Sequence, residues 1–140
     1  MQTPNKGIYI LELLAKKDFT ISAKKFVDVK FPKGYYYYIG SAQKGLTSRI
    51  ARHKRKDKII HWHIDHLTTN KSTSNINSFI IPNAEKTLEV EIANNFVNYF
   101  DTKIIATGFG NSDTKETKTH LFYKSKPIPF SEFYIFKNFT

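Results

Sequence analysis

The stretch GYYYYIG, residues 34–40, places four consecutive tyrosines before a glycine. Side chains alternate between the two faces of a β-strand, so Tyr35 and Tyr37 would share one face and the other two tyrosines the opposite face. A half-buried strand needs apolar residues on one face only. We therefore predict a strand that carries phenols on both faces and ends at Gly40, just before a strongly basic stretch.

The segments around this strand predict a small sheet flanked by helices. Alternating or apolar runs bounded by turn residues predict further strands at Gly7–Leu14, Phe26–Phe31 and Ile76–Pro82. The turn PKG at 32–34 would make Phe26–Phe31 the hairpin partner of the tyrosine strand. A helical period follows from Gln43, and again at Asp57–Thr69 and Asn83–Phe100, the last with Asn83 as its N-cap.

The end of the chain is rich in turns and aromatic residues. GFGNSD at 108–113 predicts a loop, whereas HLFYK at 120–124 and PFSEFYIF at 129–136 predict short strands or packed coil. Neither a repeat nor a linker interrupts the pattern. The sequence thus predicts one α/β domain over residues 1–140, with a small central, mainly antiparallel β-sheet flanked by helices.

The composition limits the class of protein. The 140 residues are 40% hydrophobic and 15% aromatic, which suits a folded chain, and there is no cysteine to form a disulfide or a thiolate metal site. No apolar run is long enough to span a bilayer, and the N-terminus lacks a signal-peptide cleavage site. We therefore expect a soluble, cytoplasmic protein without a membrane partner; its oligomeric state is not readable from the sequence.

A net charge of +10 favours a polyanionic partner, nucleic acid before acidic membrane. The segment RIARHKRKDK at 49–58 holds six Lys or Arg against one Asp. Basic residues clustered on one predicted helix indicate a binding surface more strongly than scattered lysines that only solubilise. The expected nucleic-acid contacts are Arg52, Lys54, Arg55, Lys56 and Lys58.

The same helix carries two polar residues on its apolar stripe. Arg49 and His53 lie one turn apart, in phase with Leu46 and Ile50. One interpretation is an arginine that extends to the edge of the core and a buried, hydrogen-bonded histidine. The functional interpretation is a guanidinium that binds phosphate beside a group that takes up a proton.

A carboxylate flanks the apolar stripe of the last helix. Glu89 lies beside Ile92 and Phe96, with Glu85 one turn earlier. Such a group is costly to bury unless it is paired, for example with Arg49, or binds a metal such as Mg²⁺, which needs only one or two protein carboxylates. The histidines of HWHIDH at 61–66 have poor spacing for zinc.

Two short motifs resemble the GIY-YIG nuclease signature. GIY stands at 7–9 and YIG at 38–40, and SAQKGLTSRIARH at 41–53 and TLEVEIA at 87–93 resemble the segments that follow in that family. The chain is most similar to a compact, single-domain DUF123-type subgroup. That resemblance rests on G-S-A, R-x-x-R-H, H-W-H-I-D and the late G-F-G-x-S-D with H-L-F-Y, and it spans nearly the whole chain.

The resemblance implies a metal-dependent DNA endonuclease, in DNA repair or processing, that needs Mg²⁺ or Mn²⁺ and no organic cofactor. In this family mechanism Glu89 would hold the ion and Arg49 a phosphate oxygen. Tyr9 and Tyr38 would orient water or phosphate, with Tyr9 or His53 as the general base. The alternative is a module that binds nucleic acid without chemistry, or one directed to RNA.

Tyr9 and His53 would need different pKa values to act as the general base. A tyrosine ionises near pH 10, so a Tyr9 base would need its pKa lowered by Arg49 or by a protonated His53. A histidine base would instead give a rate that rises through about pH 6–7. We expect neighbouring cations to lower the pKa of Tyr9.

Overall fold

The computed structural model describes residues 5–110, 117–133 and 137–138. Its strands are β1 (Gly7–Ala15), β2 (Gly34–Ala42), β3 (Thr73–Pro82), β4 (Leu121–Lys124) and β5 (Lys137–Asn138). Its helices are α1 (Leu46–Lys54), α2 (Asp65–Thr68) and α3 (Lys86–Phe100), and short 3₁₀ turns cover Lys24–Phe26 and Phe130–Phe133.

The strands form one antiparallel sheet in the order β4-β2-β1-β3-β5. The predicted fold class, an α/β arrangement around a small antiparallel sheet, is confirmed. β1 lies at the centre because its sequence, GIYILELLA, supplies side chains that are buried on both faces. A bulge between Glu12 and Leu13 shifts the register of β1 against β3.

Helices cover both faces of the sheet. Tyr36, with Tyr9 and Leu11 of β1, packs on the face covered by Leu46 and Ile50 of α1. On the opposite face, four sheet residues pack with the α3 residues Ala93 and Phe96: Ile8, Ile10, Tyr37 and Ile39. Alternating tyrosines therefore contribute rings to both cores, as the period of a strand predicts.

The prediction of a strand at Phe26–Phe31 is wrong. Its first residue ends a 3₁₀ turn, and Phe31 forms only an isolated bridge with Phe19. Both Phe26 and Phe31 are buried, although residues five apart point to opposite faces of a strand, and Val27 is 52% exposed. The segment bends along the core to bury both rings, so β2 pairs with β1 and β4 instead.

The helix predicted at Asp57–Thr69 is much shorter in the structure. The segment 57–69 is helical only at Asp65–Thr68, because the Asp65 carboxylate accepts the backbone N–H groups of His61 and Trp62 and holds them outside a helix. Strand β3 begins at Thr73, three residues before the predicted start at Ile76.

Helix α3 also begins later than predicted. Asn83 has a left-handed φ of 64° and donates its N–H to the Lys6 carbonyl, so it forms a turn and not the predicted cap. Glu85 occupies the N-cap position, and Glu89 lies in the first turn. Residues 111–113 of the predicted loop and 134–136 of the predicted aromatic strands lie outside the described residues. In the described part of the chain, no helix has the length and apolar character of a membrane span.

Candidate active site

A cleft of about 580 Å³ opens where β1, β2, α1 and α3 meet. Four of the five predicted catalytic residues line it: Tyr9, Tyr38, Arg49 and Glu89. The fifth, His53, is only 1% exposed and reaches the cleft through Tyr9. The tertiary structure therefore brings together residues that lie 80 positions apart in the sequence.

The two glycine-tyrosine motifs meet across the sheet. Tyr9 is the register partner of Gly40 in the β1–β2 pair. The Tyr9 ring crosses over Gly40 so closely that a Cβ atom at that position would collide with the ring and its hydroxyl. The glycine that ends the tyrosine run thus provides the space that the Tyr9 phenol occupies.

A buried hydrogen bond joins the phenol of Tyr9 to His53. The Tyr9 hydroxyl lies 2.9 Å from Nε2 of His53, on the stripe of α1 that the helical period predicted. Nδ1 of His53 has no hydrogen-bond partner among the described residues. Burial, together with the nearby Lys58 ammonium, lowers the pKa of His53 to about 3, so the imidazole is neutral near pH 7.

The expected ionisation of Tyr9 is wrong. Burial raises the pKa of the Tyr9 hydroxyl well above 10, and Tyr38 raises it further. The Arg49 guanidinium lowers this pKa, but by less than burial raises it. The phenol is therefore protonated in the free protein. Since His53 already remains neutral down to about pH 3, a rate that rises through pH 6–7 is no longer expected from His53.

Arg49 is held at the wall of the cleft. Its Nη1 donates a hydrogen bond of 2.8 Å to the carbonyl of Ser41, the residue that follows Gly40. The guanidinium carbon lies 5.1 Å from the centre of the Trp62 ring. A guanidinium offers five N–H donors, and this one remains half-buried at the cleft with a fixed orientation. It can therefore donate hydrogen bonds to a phosphate oxygen while it keeps its contact with the Ser41 carbonyl.

Glu89 brings a carboxylate to the same cleft. The residue is 7% exposed; Oε1 accepts a hydrogen bond of 3.1 Å from the Ser41 hydroxyl, and Oε2 lies 3.5 Å from Nδ1 of His120. Glu85, predicted on the same flank, is exposed and forms an ion pair of 2.6 Å with Lys6. Of these two glutamates, the structure places Glu89 in the cleft.

This donor set fits a hard divalent cation held by few protein ligands. The part of the chain that is described contains no group of three or more metal-binding side chains. One carboxylate beside a hydroxyl, at the wall of an open cleft, instead suits Mg²⁺ or Mn²⁺, which keep several water ligands and accept substrate oxygens. Glu89 would be the main protein ligand, and Ser41 would orient it.

The sequence did not assign a role to three residues of this site. Ser41 bridges Arg49 and Glu89 through its backbone carbonyl and its hydroxyl. His63 accepts the Gly110 N–H at 2.9 Å through Nδ1, and the His120 side chain is 3% exposed beside Glu89. Burial lowers the pKa of both histidines. Their motifs, H-W-H-I-D and H-L-F-Y, were visible, but contacts this distant in sequence have no local signal.

The five predicted contacts in the basic segment divide into side chains that bond to the rest of the fold and side chains that project into solvent. Arg52 pairs with Asp65 at 2.9 Å, Lys56 donates to the Asn70 and Thr73 carbonyls, and Lys58 donates to the Arg52 and His53 carbonyls. Lys54 and Arg55 are exposed, and so is Lys56 despite its two contacts. Of the five predicted nucleic-acid contacts, Lys54 and Arg55 project into solvent, whereas the other three also stabilise the fold.

Comparison with known proteins identifies one relationship. No curated protein and no solved structure matches the chain. A family model does match, that of the domain of unknown function DUF123, over residues 8–135. The match covers β1 from Ile8 onwards, β2 to β4 and every residue of the cleft described above. The chain belongs to the DUF123 family.

Proposed function

We propose that this protein is a metal-dependent endonuclease of the GIY-YIG kind, which hydrolyses phosphodiester bonds in DNA during repair or processing in the cytoplasm. One observation carries the proposal: Arg49, Glu89 and the hydrogen-bonded pair of Tyr9 and His53 converge on one cleft. Hydrolysis of a phosphodiester needs a proton acceptor, a cation near the phosphoryl oxygens and help for the leaving oxygen. The cleft supplies side chains for each of these tasks.

The Tyr9–His53 pair acts as a proton relay. As water attacks phosphorus, the Tyr9 oxygen takes a proton from the water and passes its own proton to Nε2 of His53. This exchange avoids a free phenolate, which the raised pKa of Tyr9 makes costly. It requires a neutral His53 with its proton on Nδ1. A pKa of about 3 in the free protein keeps the ring neutral but makes it a weak base, so the negative charge of the bound phosphate has to raise that pKa and stabilise the imidazolium as the proton arrives.

Arg49 and Glu89 serve the phosphate. The Arg49 guanidinium, fixed by the Ser41 carbonyl, binds a nonbridging oxygen and stabilises its growing negative charge. Glu89 would hold the divalent ion, which when bound would polarise the phosphate and stabilise the leaving oxygen. Tyr38, half-buried at the cleft with its ring centre 6.4 Å from that of His53, orients the phosphate or the attacking water.

The test uses labelled single-stranded, duplex and branched DNA, with RNA of matching sequence, in Mg²⁺, Mn²⁺ or EDTA. Wild type should cleave DNA only with metal. Glu89→Gln should abolish cleavage and preserve the fold, and Tyr9→Phe should reduce turnover by roughly 10²-fold with little change in binding. Glu91→Gln, an exposed glutamate on the same helix, is the matched control. Full cleavage in EDTA or by Glu89→Gln would refute the metal assignment.

A second candidate is a module that binds RNA or that binds nucleic acid without cleaving it. Aromatic rings line the cleft beside Arg49, namely those of Tyr38, His61, Trp62 and His63, and such rings suit stacking with unpaired bases. Tight binding of single-stranded RNA without cleavage of any DNA would favour this candidate. Cleavage of RNA in preference to DNA would keep the chemistry and change the substrate.

A further inference from the structure

The loop between α1 and Trp62 presents an isoleucine to solvent. Ile59 is 87% exposed, more than any other large apolar side chain among the described residues, and the adjacent Ile60 is 42% exposed. Single exposed apolar residues are common on protein surfaces and need no explanation. This one differs because of how its loop is held and where the loop lies.

Buried contacts hold the Ile59 loop in one conformation. The Asp65 carboxylate, fully buried, accepts two hydrogen bonds from Arg52 at 2.9 and 3.0 Å, and the N–H groups of His61 and Trp62 at 2.8 and 3.0 Å. Arg52 also donates to the Ile59 carbonyl at 3.0 Å. A buried carboxylate thus uses its hydrogen-bonding capacity to fix the backbone on both sides of an exposed apolar tip.

Along the chain, the tip lies between two segments that suit a nucleic acid. On one side, Lys54 and Arg55 are exposed and cationic. On the other side, His61 and Trp62 line the cleft only two and three residues further along the chain. Adjacent Cα atoms are 3.8 Å apart, so Ile59 lies within about 11 Å of the cleft-lining backbone.

We propose that Ile59 is a wedge that inserts between two stacked bases beside the cleavage site. The proposal rests on nucleic-acid binding as described under the proposed function. Proteins that insert an apolar side chain between base steps place it among cations that hold the phosphates, as Lys54 and Arg55 would here. Opening a base step costs free energy, and this cost is smallest where the step is already interrupted. The protein therefore selects nicked, forked or mismatched DNA over continuous duplex.

The experiment measures unstacking separately from cleavage. The Glu89→Gln chain is mixed in EDTA with a forked duplex that carries 2-aminopurine beside the junction, and with a continuous duplex of the same sequence. Binding should raise the 2-aminopurine fluorescence, and the fork should bind about tenfold more tightly. Adding Ile59→Ala should remove both effects and leave the salt dependence unchanged, whereas Ile59→Leu should retain them. Ile76→Ala, a 40% exposed isoleucine on β3, is the matched control.

The outcomes separate this inference from the proposed function. Fluorescence and fork preference that survive in Ile59→Ala would overturn the wedge, and so would an absence of DNA binding. Ile59-dependent binding to anionic phosphatidylserine vesicles, without binding to DNA, would also overturn it. If wild type unstacks the fork through Ile59 but never cleaves it with Mg²⁺ or Mn²⁺, the wedge stands and the endonuclease proposal fails.

Discussion

At the scale of single residues, the site depends on a missing side chain. Tyr9 reaches the cleft across Gly40, and its hydroxyl meets His53 behind the cleft wall. A residue with a Cβ atom at position 40 would have to displace an aromatic ring that is itself only 3% exposed. The orientation of the phenol is therefore a property of two residues, one on each strand.

Gly40→Ala should destabilise the protein by about 1–3 kcal/mol and displace the Tyr9 ring, because the added methyl group overpacks the contact. In a Tyr9→Ala background the same substitution should cost much less, since the ring is gone. Urea unfolding of wild type, the two single variants and the double variant measures this coupling. Equal costs in both backgrounds would show that Gly40 serves some other purpose than making room for Tyr9.

His53 should make stability depend on acid. Its folded pKa of about 3 lies below the ordinary value of 6.5, so the unfolded chain binds a proton that the folded chain does not, and stability falls as the pH drops from 6.5 towards 3. At about pH 4.5 the resulting loss in the free energy of unfolding is about 2–3 kcal/mol. His53→Gln, which does not titrate, should lose that much less between pH 7 and about pH 4.5 in denaturant unfolding. An identical pH dependence in both proteins would contradict a buried neutral His53.

At the scale of elements, the lysines and arginines of the basic segment 49–58 have two different roles. Lys54 and Arg55 project from the end of α1, whereas Lys58, with a side chain only 2% exposed, ties the following loop to carbonyls of that helix. Position along the segment gives no hint of this division. Each lysine is equally polar in the sequence, and only the path of the chain decides which one meets an acceptor.

Removing the exposed pair should weaken binding without affecting the fold. In Lys54→Ala/Arg55→Ala the slope of log affinity against log salt on duplex DNA should fall by about 1.8, because each phosphate contact contributes about 0.9. The free energy of unfolding should change by less than about 0.5 kcal/mol. Lys58→Ala is the contrast: it removes a buried ammonium from the Arg52 and His53 carbonyls, of which only the Arg52 carbonyl keeps another donor among the described residues, the Arg55 N–H, and it should cost about 1–3 kcal/mol of stability. An unchanged salt slope in the double variant would exclude this end of α1 as the docking surface.

At the scale of the whole molecule, one buried network joins the central strands to the chain that follows β4. The Glu12 carboxylate of β1 accepts the Tyr37 hydroxyl of β2 at 2.5 Å and the Asn77 amide of β3 at 2.8 Å. The same hydroxyl accepts the Ile128 N–H at 2.8 Å. Three strands and a later segment thus share one set of polar contacts on the face of the sheet that α3 covers.

Tyr37→Phe should therefore destabilise the protein more than its neighbour Tyr36→Phe. The first change leaves Oε2 of Glu12 and the Ile128 N–H each without a partner, although Oε1 of Glu12 keeps the Asn77 amide, and this should cost about 2–4 kcal/mol. The second removes a single hydrogen bond to the Pro32 carbonyl, worth about 1 kcal/mol. Thermal and urea unfolding of both variants compares the two phenols in otherwise equal rings. Equal losses would mean that the network does not join the strands cooperatively.

The sequence by itself determined the features that depend on local pattern. The strand predicted at Gly7–Leu14 and the tyrosine strand predicted to end at Gly40 each end within two residues of the observed ends at Ala15 and Ala42. These strands, the helix with Arg49 on its apolar stripe and the exceptional Glu89 could be read from apolar runs and periodicity. Periodicity works there because each element buries a regular face, and a polar residue on that face is visible as an exception.

Only the tertiary structure decided the features that depend on contacts between distant residues. The segment Phe26–Phe31 has the alternating pattern of a strand, yet it bends so that both of its phenylalanine rings are buried in the core. The Asp65 carboxylate shortens a predicted helix, and burial, which no sequence window reports, raises the pKa of Tyr9 where neighbouring cations were expected to lower it. Desolvation and long-range hydrogen bonds depend on what surrounds a group in space, and that environment exists only once the chain has folded.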